Sequence, residues 1–278
     1  MEGVQIIMAI TLESISAEKA VKAPRMVILG VEKIGKTTFA AGSRFENGKL
    51  AEIGINKPII ISVKGEEGAD DLSVPKFPVC STLAELHECI ASLYTEDHDF
   101  ETVVLDSASA MAPLIHDDVC EEFGVNNVRK VPGFRTGECA VLQRWVQILD
   151  GLTALRDTKN MASIVIGHVK VKKHENVEGD NWNWYDMDLD MGEADEIKRW
   201  ADVIGFCNTK VFIKKEGQDS TFSKAKKTAI DASGGRRFLY TQKSPTHPGG
   251  GRGVYGHLQD EIMLDWASFQ AAVIEAAK

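Results

Sequence analysis

Gly30-Val31-Glu32-Lys33-Ile34-Gly35-Lys36-Thr37 constrains this chain more than any other stretch. It fits the spacing GxxxxGK[ST] in full. Glycines let backbone N–H groups wrap an anion, Lys36 adds a cation, and Thr37 adds a hydroxyl suited to Mg2+. The apolar run MVILG at 26–30 reads as a buried strand leading into the loop. A helix is expected to open at Lys36 and run to Phe45. The eight residues, with Thr38 behind them, therefore read as a cradle for phosphate oxygens between a strand and a helix.

The rest of the chain repeats that alternation. PIIISVK (58–64), FETVVLD (100–106) and MASIVIGHV (161–169) are further apolar strands. WADVIGFCNTKVFIK (200–214) supplies one or two more. Residues 81–94 carry apolar side chains at 83, 86, 90 and 93, a helical spacing capped by Ser81 or Thr82. Residues 139–157 form a long amphipathic pattern. Strands alternating with helices predict an α/β protein with a mostly parallel sheet flanked by helices. Ligands in such sheets sit beyond the carboxyl ends of the strands. Two stretches lack periodicity: 170–198 is expected to be a long loop, and 243–257 a mobile one.

Asp106 ends TVVLD, where a carboxylate can hold Mg2+ through a water and face Thr37. Capping the next helix is its other reading. Asn56-Lys57-Pro58-Ile59 lacks the aspartate that guanine recognition uses, and no arginine-rich lid marks a small-molecule kinase. Asp186, Asp188 and Asp190 imitate a calcium loop, but Met191 and Ile197 occupy the places of its glycine and glutamate. That segment reads as solvated acid competing for nearby lysines.

Among 278 residues, five cysteines fall without CxxC spacing, which fits a reducing cytoplasm. No apolar run reaches 18 residues, and the start lacks the features of a signal peptide. No membrane partner is expected. The net charge is −9, from 32 basic and 41 acidic residues. That sum opposes a nucleic-acid coat protein, because phosphate backbones need a positive surface. A local basic face on an acidic body stays open, with lysines gathered at 170–173 and 210–227.

GVEKIGKTT and VVLDSASAM resemble the phosphate loop and strand-end segment of RecA-type recombinases. EEGADDLSVPKFPV, LYTEDHDFETVVLDS, GLTALRD, IVIGHVKVKK, EIKRWADVIGFCNTKV, RRFLYT and LDWASFQAAV resemble a phage-encoded group more closely. These are the RecA-core ATPases that accompany single-strand annealing, the fourth Sak type. The similarity covers residues 25–275. It implies a RecA-like P-loop NTPase domain over 25–278, with 1–24 as an N-terminal extension. It further implies ATP and Mg2+ as cofactors, ATP hydrolysis stimulated by single-stranded DNA, and self-association into a ring or filament. A single-strand binding protein is a further partner in that setting, and the location is the bacterial host cytoplasm. The alternative is a nucleotide-gated assembly or loader protein with little turnover.

The resemblance also distributes roles. Glu66 falls where the family carries its acidic base after the second strand, although Gly65 replaces the usual threonine and Glu67 competes for the role. His168 falls at the γ-phosphate sensor position. DNA contacts map to a loop at 113–136, with Arg129, Lys130 and Arg135 near Phe134. They also map to 170–198, with Lys170, Lys172, Lys173, His174, Trp182, Trp184 and Tyr185. Cations tracking a backbone beside rings that stack on bases suit single strands. Lys210, Arg236, Arg237 and Lys243 are candidates for a cation lent to a neighbouring subunit.

Overall fold

The computed structural model describes residues 22–176, 179–190, 192–216, 226–231 and 233–278. The extension expected at 1–24 lies outside these, apart from 22–24.

The chain opens with β1 (Arg25–Gly30) and α1 (Lys36–Ala40). A short hairpin, β2 (Arg44–Glu46) and β3 (Lys49–Glu52), precedes β4 (Pro58–Ser62). Then come α2 (Leu83–Thr95), β5 (Thr102–Asp106), α3 (Ala108–Phe123) and α4 (Thr136–Lys159). β6 (Ala162–His174), β7 (Trp182–Met187), α5 (Glu193–Trp200) and β8 (Val203–Thr209) follow. The last stretch holds β9 (Val211–Glu216), β10 (Lys226–Asp231), β11 (Arg237–Tyr240), β12 (Gly250–Gly251), β13 (Glu261–Met263) and α6 (Trp266–Ala276).

The main sheet runs β13-β11-β8-β1-β6-β5-β4. β8, β1, β6, β5 and β4 are mutually parallel, and β11 and β13 add antiparallel edges. β6 therefore stands between β1 and β5. Its register sets His168 beside Gly30, while Cys207 of β8 flanks Gly30 on the other side. The carboxyl ends of β1, β5 and β6 thus meet at one edge, where an α/β sheet holds ligands.

Two apolar layers cover the sheet. One packs α2, α3, α4 and α5 against it and includes the fully buried Trp145. The other packs α1 and α6, with Phe39, Trp266 and Phe269 clustered. α2 begins at Thr82, whose hydroxyl accepts from Glu85 N while Glu85 reaches back to Thr82 N. That reciprocal cap selects Thr82 over Ser81. Asp265 caps α6 by accepting from Ser268 N.

Three sequence expectations change. The helix expected from Lys36 to Phe45 stops at Ala40. Gly42 takes φ +76°, and a Cβ there would lie 2.1 Å from Asn56 Oδ1, so the chain must turn. Residues 170–198 are not a loop. β6 extends to His174 and pairs with β7, and α5 follows. The segment 243–257 is packed and not loose: His247 is buried and stacks on Phe206 at 4.5 Å, and 253–257 form a 3-10 turn. No helix among the described residues is long and apolar enough to cross a membrane.

Candidate phosphate and metal site

The 30–37 loop surrounds one end of a cavity of about 640 Å3. Lys36 and Thr37 from the start of α1, Glu66 from the turn after β4, Asp106 from the end of β5 and His168 from within β6 line it. Lys36 is almost fully buried, and its ammonium donates to Gly30 O (3.0 Å) and Val31 O (2.9 Å). Burial pulls its pKa down, against the pull of Asp106 and Glu66. Gly30 is required by space: a Cβ there would meet Cys207 O at 2.6 Å. Burial pushes the Cys207 thiol up to about 12, so a neutral wall backs the loop.

Thr37 Oγ1 donates to Asp106 Oδ2 at 2.8 Å. Burial raises the Asp106 pKa, and the Thr37 hydrogen bond opposes the rise. A hydroxyl and a carboxylate oxygen are hard donors of the kind Mg2+ takes. The two readings of Asp106 separate here, because the next residue, Ser107, caps α3 through Ala110 N. The Asp106–Ser107 peptide is cis.

Glu66 sits across from this pair. Its Oε1 accepts from Ser107 Oγ at 2.5 Å and from His168 Nε2 at 2.9 Å. The His168 hydrogen bond holds the Glu66 carboxyl below its usual range; burial opposes it and Ser107 helps. These bonds belong to Glu66, while Glu67 only lines the same cavity. His168 anchors by its own N–H to Ser109 Oγ at 3.2 Å.

Sequence reasoning missed Gly68. A Cβ there would stand 2.8 Å from Thr37 Oγ1 and 3.4 Å from Asp106 Oδ2. The bare backbone lets the loop after β4 close over the Thr37–Asp106 pair, and the only signal was the GEEG spacing. Arg237 is also placed unexpectedly. It donates to Ile34 O of its own loop at 3.1 Å and lines the cavity. Lys210 pairs with Glu261 at 2.9 Å and Arg236 donates to Ser233 O, so neither shares that position. Lys243 is on the segment leading to His247.

The basic and aromatic residues lie elsewhere. The expected loop at 113–136 narrows to 124–135, since α3 fills the rest. Phe134 is 94% exposed there. Arg135 pairs with Glu138 at 2.6 Å, Lys130 donates to Asn126, and Arg129 is exposed. On the β6–β7 hairpin, Lys172 pairs across with Trp184, and strand alternation puts Lys170 and Lys172 on the same face as Trp182 and Trp184. Lys170 bridges Asp188 (2.9 Å) and Asp190 (3.0 Å). Lys172 and Lys198 grip the buried Asp186 at 2.8 and 3.0 Å. Lys173 is exposed. Trp182 Nε1 donates to Pro245 O, and Tyr185 turns inward against Phe206, 5.3 Å between ring centroids. Tyr185 is thus partly a packing residue.

The acidic segment is not simply solvated. Glu193 is fully buried, accepting from Trp145 Nε1 at 2.6 Å and bonding His116 Nε2 at 3.0 Å. It pins α5 to α3 and α4.

The interposed β6 and the convergence at one sheet edge make this a RecA-like P-loop NTPase fold. Among solved structures, the RadB recombinase crystal structure is similar over 79% of this chain and 81% of that one, with 14% identity and a TM-score of 0.39. No curated protein matches in sequence. The AAA domain family profile matches residues 22–253, most of the chain, and this chain belongs to that family.

Proposed function

We propose that this chain hydrolyses ATP with Mg2+, binds single-stranded DNA, assembles with copies of itself, and promotes annealing and recombination in phage DNA metabolism. The observation that carries the catalytic part is the meeting of Lys36, Thr37, Asp106 and Glu66 around one cavity. Lys36 and the loop N–H groups receive the phosphates. Thr37 and Asp106 hold Mg2+, which when bound neutralises charge on the phosphate oxygens. Glu66, kept charged by His168 and Ser107, orients the attacking water and draws its proton. His168 reads the γ-phosphate from the point where β6 leaves the parallel sheet.

Support for the DNA part comes from the cation-and-ring face of the β6–β7 hairpin and from exposed Phe134 beside Arg135. Phosphates compete there with Asp186, Asp188 and Asp190 for the lysines. Binding is therefore modest per subunit, salt-sensitive, and strengthened when assembly aligns many faces. This reconciles a net charge of −9 with a nucleic-acid partner.

Steady-state hydrolysis with and without single-stranded DNA tests the reading. At low salt, DNA is expected to raise the rate several-fold. A rate that DNA leaves unchanged, with assembly still nucleotide-dependent, replaces it with the loader function.

A further inference from the structure

A second cavity, of about 430 Å3, adjoins the first and shares Gly35, Thr38 and Arg237 with it. Its volume falls within the ~300–1,000 Å3 of ordinary small-molecule sites. Its walls are of another kind. Lys36, Asp106 and Glu66 line the phosphate cavity; Phe45 from the β2–β3 hairpin and Met263 from β13 line this one. Both side chains are 38% exposed, although most large apolar side chains of this protein are buried. A recess lined by Ile34, Phe45, Met263 and Leu264 together with polar side chains, adjoining an anion cradle, matches a molecule with one flat, edge-polar end and one charged end.

We propose that this cavity takes the base of the bound nucleotide, adenine for ATP, with Phe45 as its stacking face and the β2–β3 hairpin as a clamp. The inference rests on the nucleotide reading above and extends it to a part of the chain outside the phosphate-loop motif. Aromatic faces stack on bases whatever their edge pattern, because every base has a π-face. Met263 adds a soft, adaptable contact. Asn47 and Arg236 bring polar groups to the same cavity. Asp265 also lines it, but its oxygens already accept from Ser268 N (2.9 Å) and Ser268 Oγ (2.8 Å).

The hairpin is built to hold Phe45 in place. α1 lasts five residues, so the chain leaves the phosphate loop and returns beside it within one short excursion. Asn47 (φ 52°) and Gly48 (φ 76°) form the tight turn, the pairing that two-residue hairpins favour. At the neck, Gly54 N donates to Ala41 O (2.9 Å), Ile55 N to Gly42 O (3.2 Å) and Asn56 Nδ2 to Ala40 O (3.0 Å). Ala267 N of α6 donates to Ser43 O at 3.2 Å, and Arg44 bridges Glu52 at 3.1 Å. A fixed aromatic face loses little freedom when a ligand lands on it.

Calorimetric titration of the full chain with Mg-ATP and with Mg-tripolyphosphate separates the two cavities, because tripolyphosphate has no base. Wild-type protein is expected to bind ATP about tenfold or more tightly than tripolyphosphate. Phe45→Ala should weaken ATP about tenfold and leave tripolyphosphate within about twofold, and Phe45→Trp should restore ATP affinity. Three results overturn the inference alone: ATP and tripolyphosphate bound equally by the wild type, ATP affinity unmoved by Phe45→Ala, or both ligands weakened alike. Wild-type protein that binds neither ligand overturns the nucleotide reading itself, and this inference with it.

Discussion

From Ala162 to Gly167, β6 is buried between β1 and β5; beyond His168 it leaves the parallel sheet and pairs with β7. The inner half is held by apolar burial, at about 25 cal/mol per Å2. The outer half is held by a hydrogen-bonded ladder, cross-strand side-chain pairs and the Lys172–Asp186–Lys198 cluster. His168 is the last residue of the first regime and touches Glu66. One strand thus serves two kinds of chemistry: rigid positioning inside, and exchangeable charge outside. Variants on either side of His168 should fail in different assays.

The largest expected effect lies inside. Glu66→Gln should keep ATP affinity and slow turnover by about 10²–10⁴, the usual contribution of a positioned base. Glu67→Gln should change little, and a reversed pair of results would move the role to Glu67. Lys36→Ala should weaken ATP binding by about 100-fold, as expected for lost charge-assisted contacts of ~1.5–3 kcal/mol each. Unaltered affinity would remove phosphate from the 30–37 loop.

Outside, Trp182→Ala combined with Trp184→Ala should weaken single-stranded DNA by about tenfold and spare basal hydrolysis. If fluorescence anisotropy shows equal DNA affinity, the rings belong to packing, as Trp182 on Pro245 already suggests. The smallest effect concerns the ion cluster. Burial works to raise the Asp186 pKa, but Lys172 and Lys198 outweigh it and hold the carboxyl below its usual range. A depressed carboxylate stabilises the fold above the ordinary value near ~3.9 and loses that contribution as pH falls through the folded value. Asp186→Asn should therefore lose about 1–2 kcal/mol in urea unfolding at pH 7, with the gap to wild type closing in acid. A gap that widens on acidification would contradict the ion-pair account.

The same division governs what could be read from the residues. The apolar strands, the parallel sheet, the strand–loop–helix frame of residues 30–37 and a cap at Ser81 or Thr82 were legible because each depends on local pattern or fixed spacing. The β6–β7 hairpin was not, because its lysines and aspartates look like loop composition until their cross-strand partners are known. Glu193 looked like one more surface acid, and only α3 and α4 arriving with His116 and Trp145 bury it. Arg237 lies about 200 residues from Ile34 in sequence, a meeting no motif announces. Asn47-Gly48 was a readable hairpin signal that the expected helix to Phe45 overrode.

The strand order has a consequence for how the chain comes into being. β1 is made early, but its neighbours are Ala162–His174 and Val203–Thr209. At roughly 5–20 residues per second, the ribosome needs on the order of ten seconds to deliver the first of them. Through that interval Met26, Val27, Ile28 and Leu29, all fully buried in the finished protein, have no strand beside them. Contacts so distant in sequence form slowly and leave sticky segments open to the wrong partners. The sheet order that gathers the phosphate loop, Asp106 and His168 at one edge thus also makes the nascent chain a natural client for chaperones.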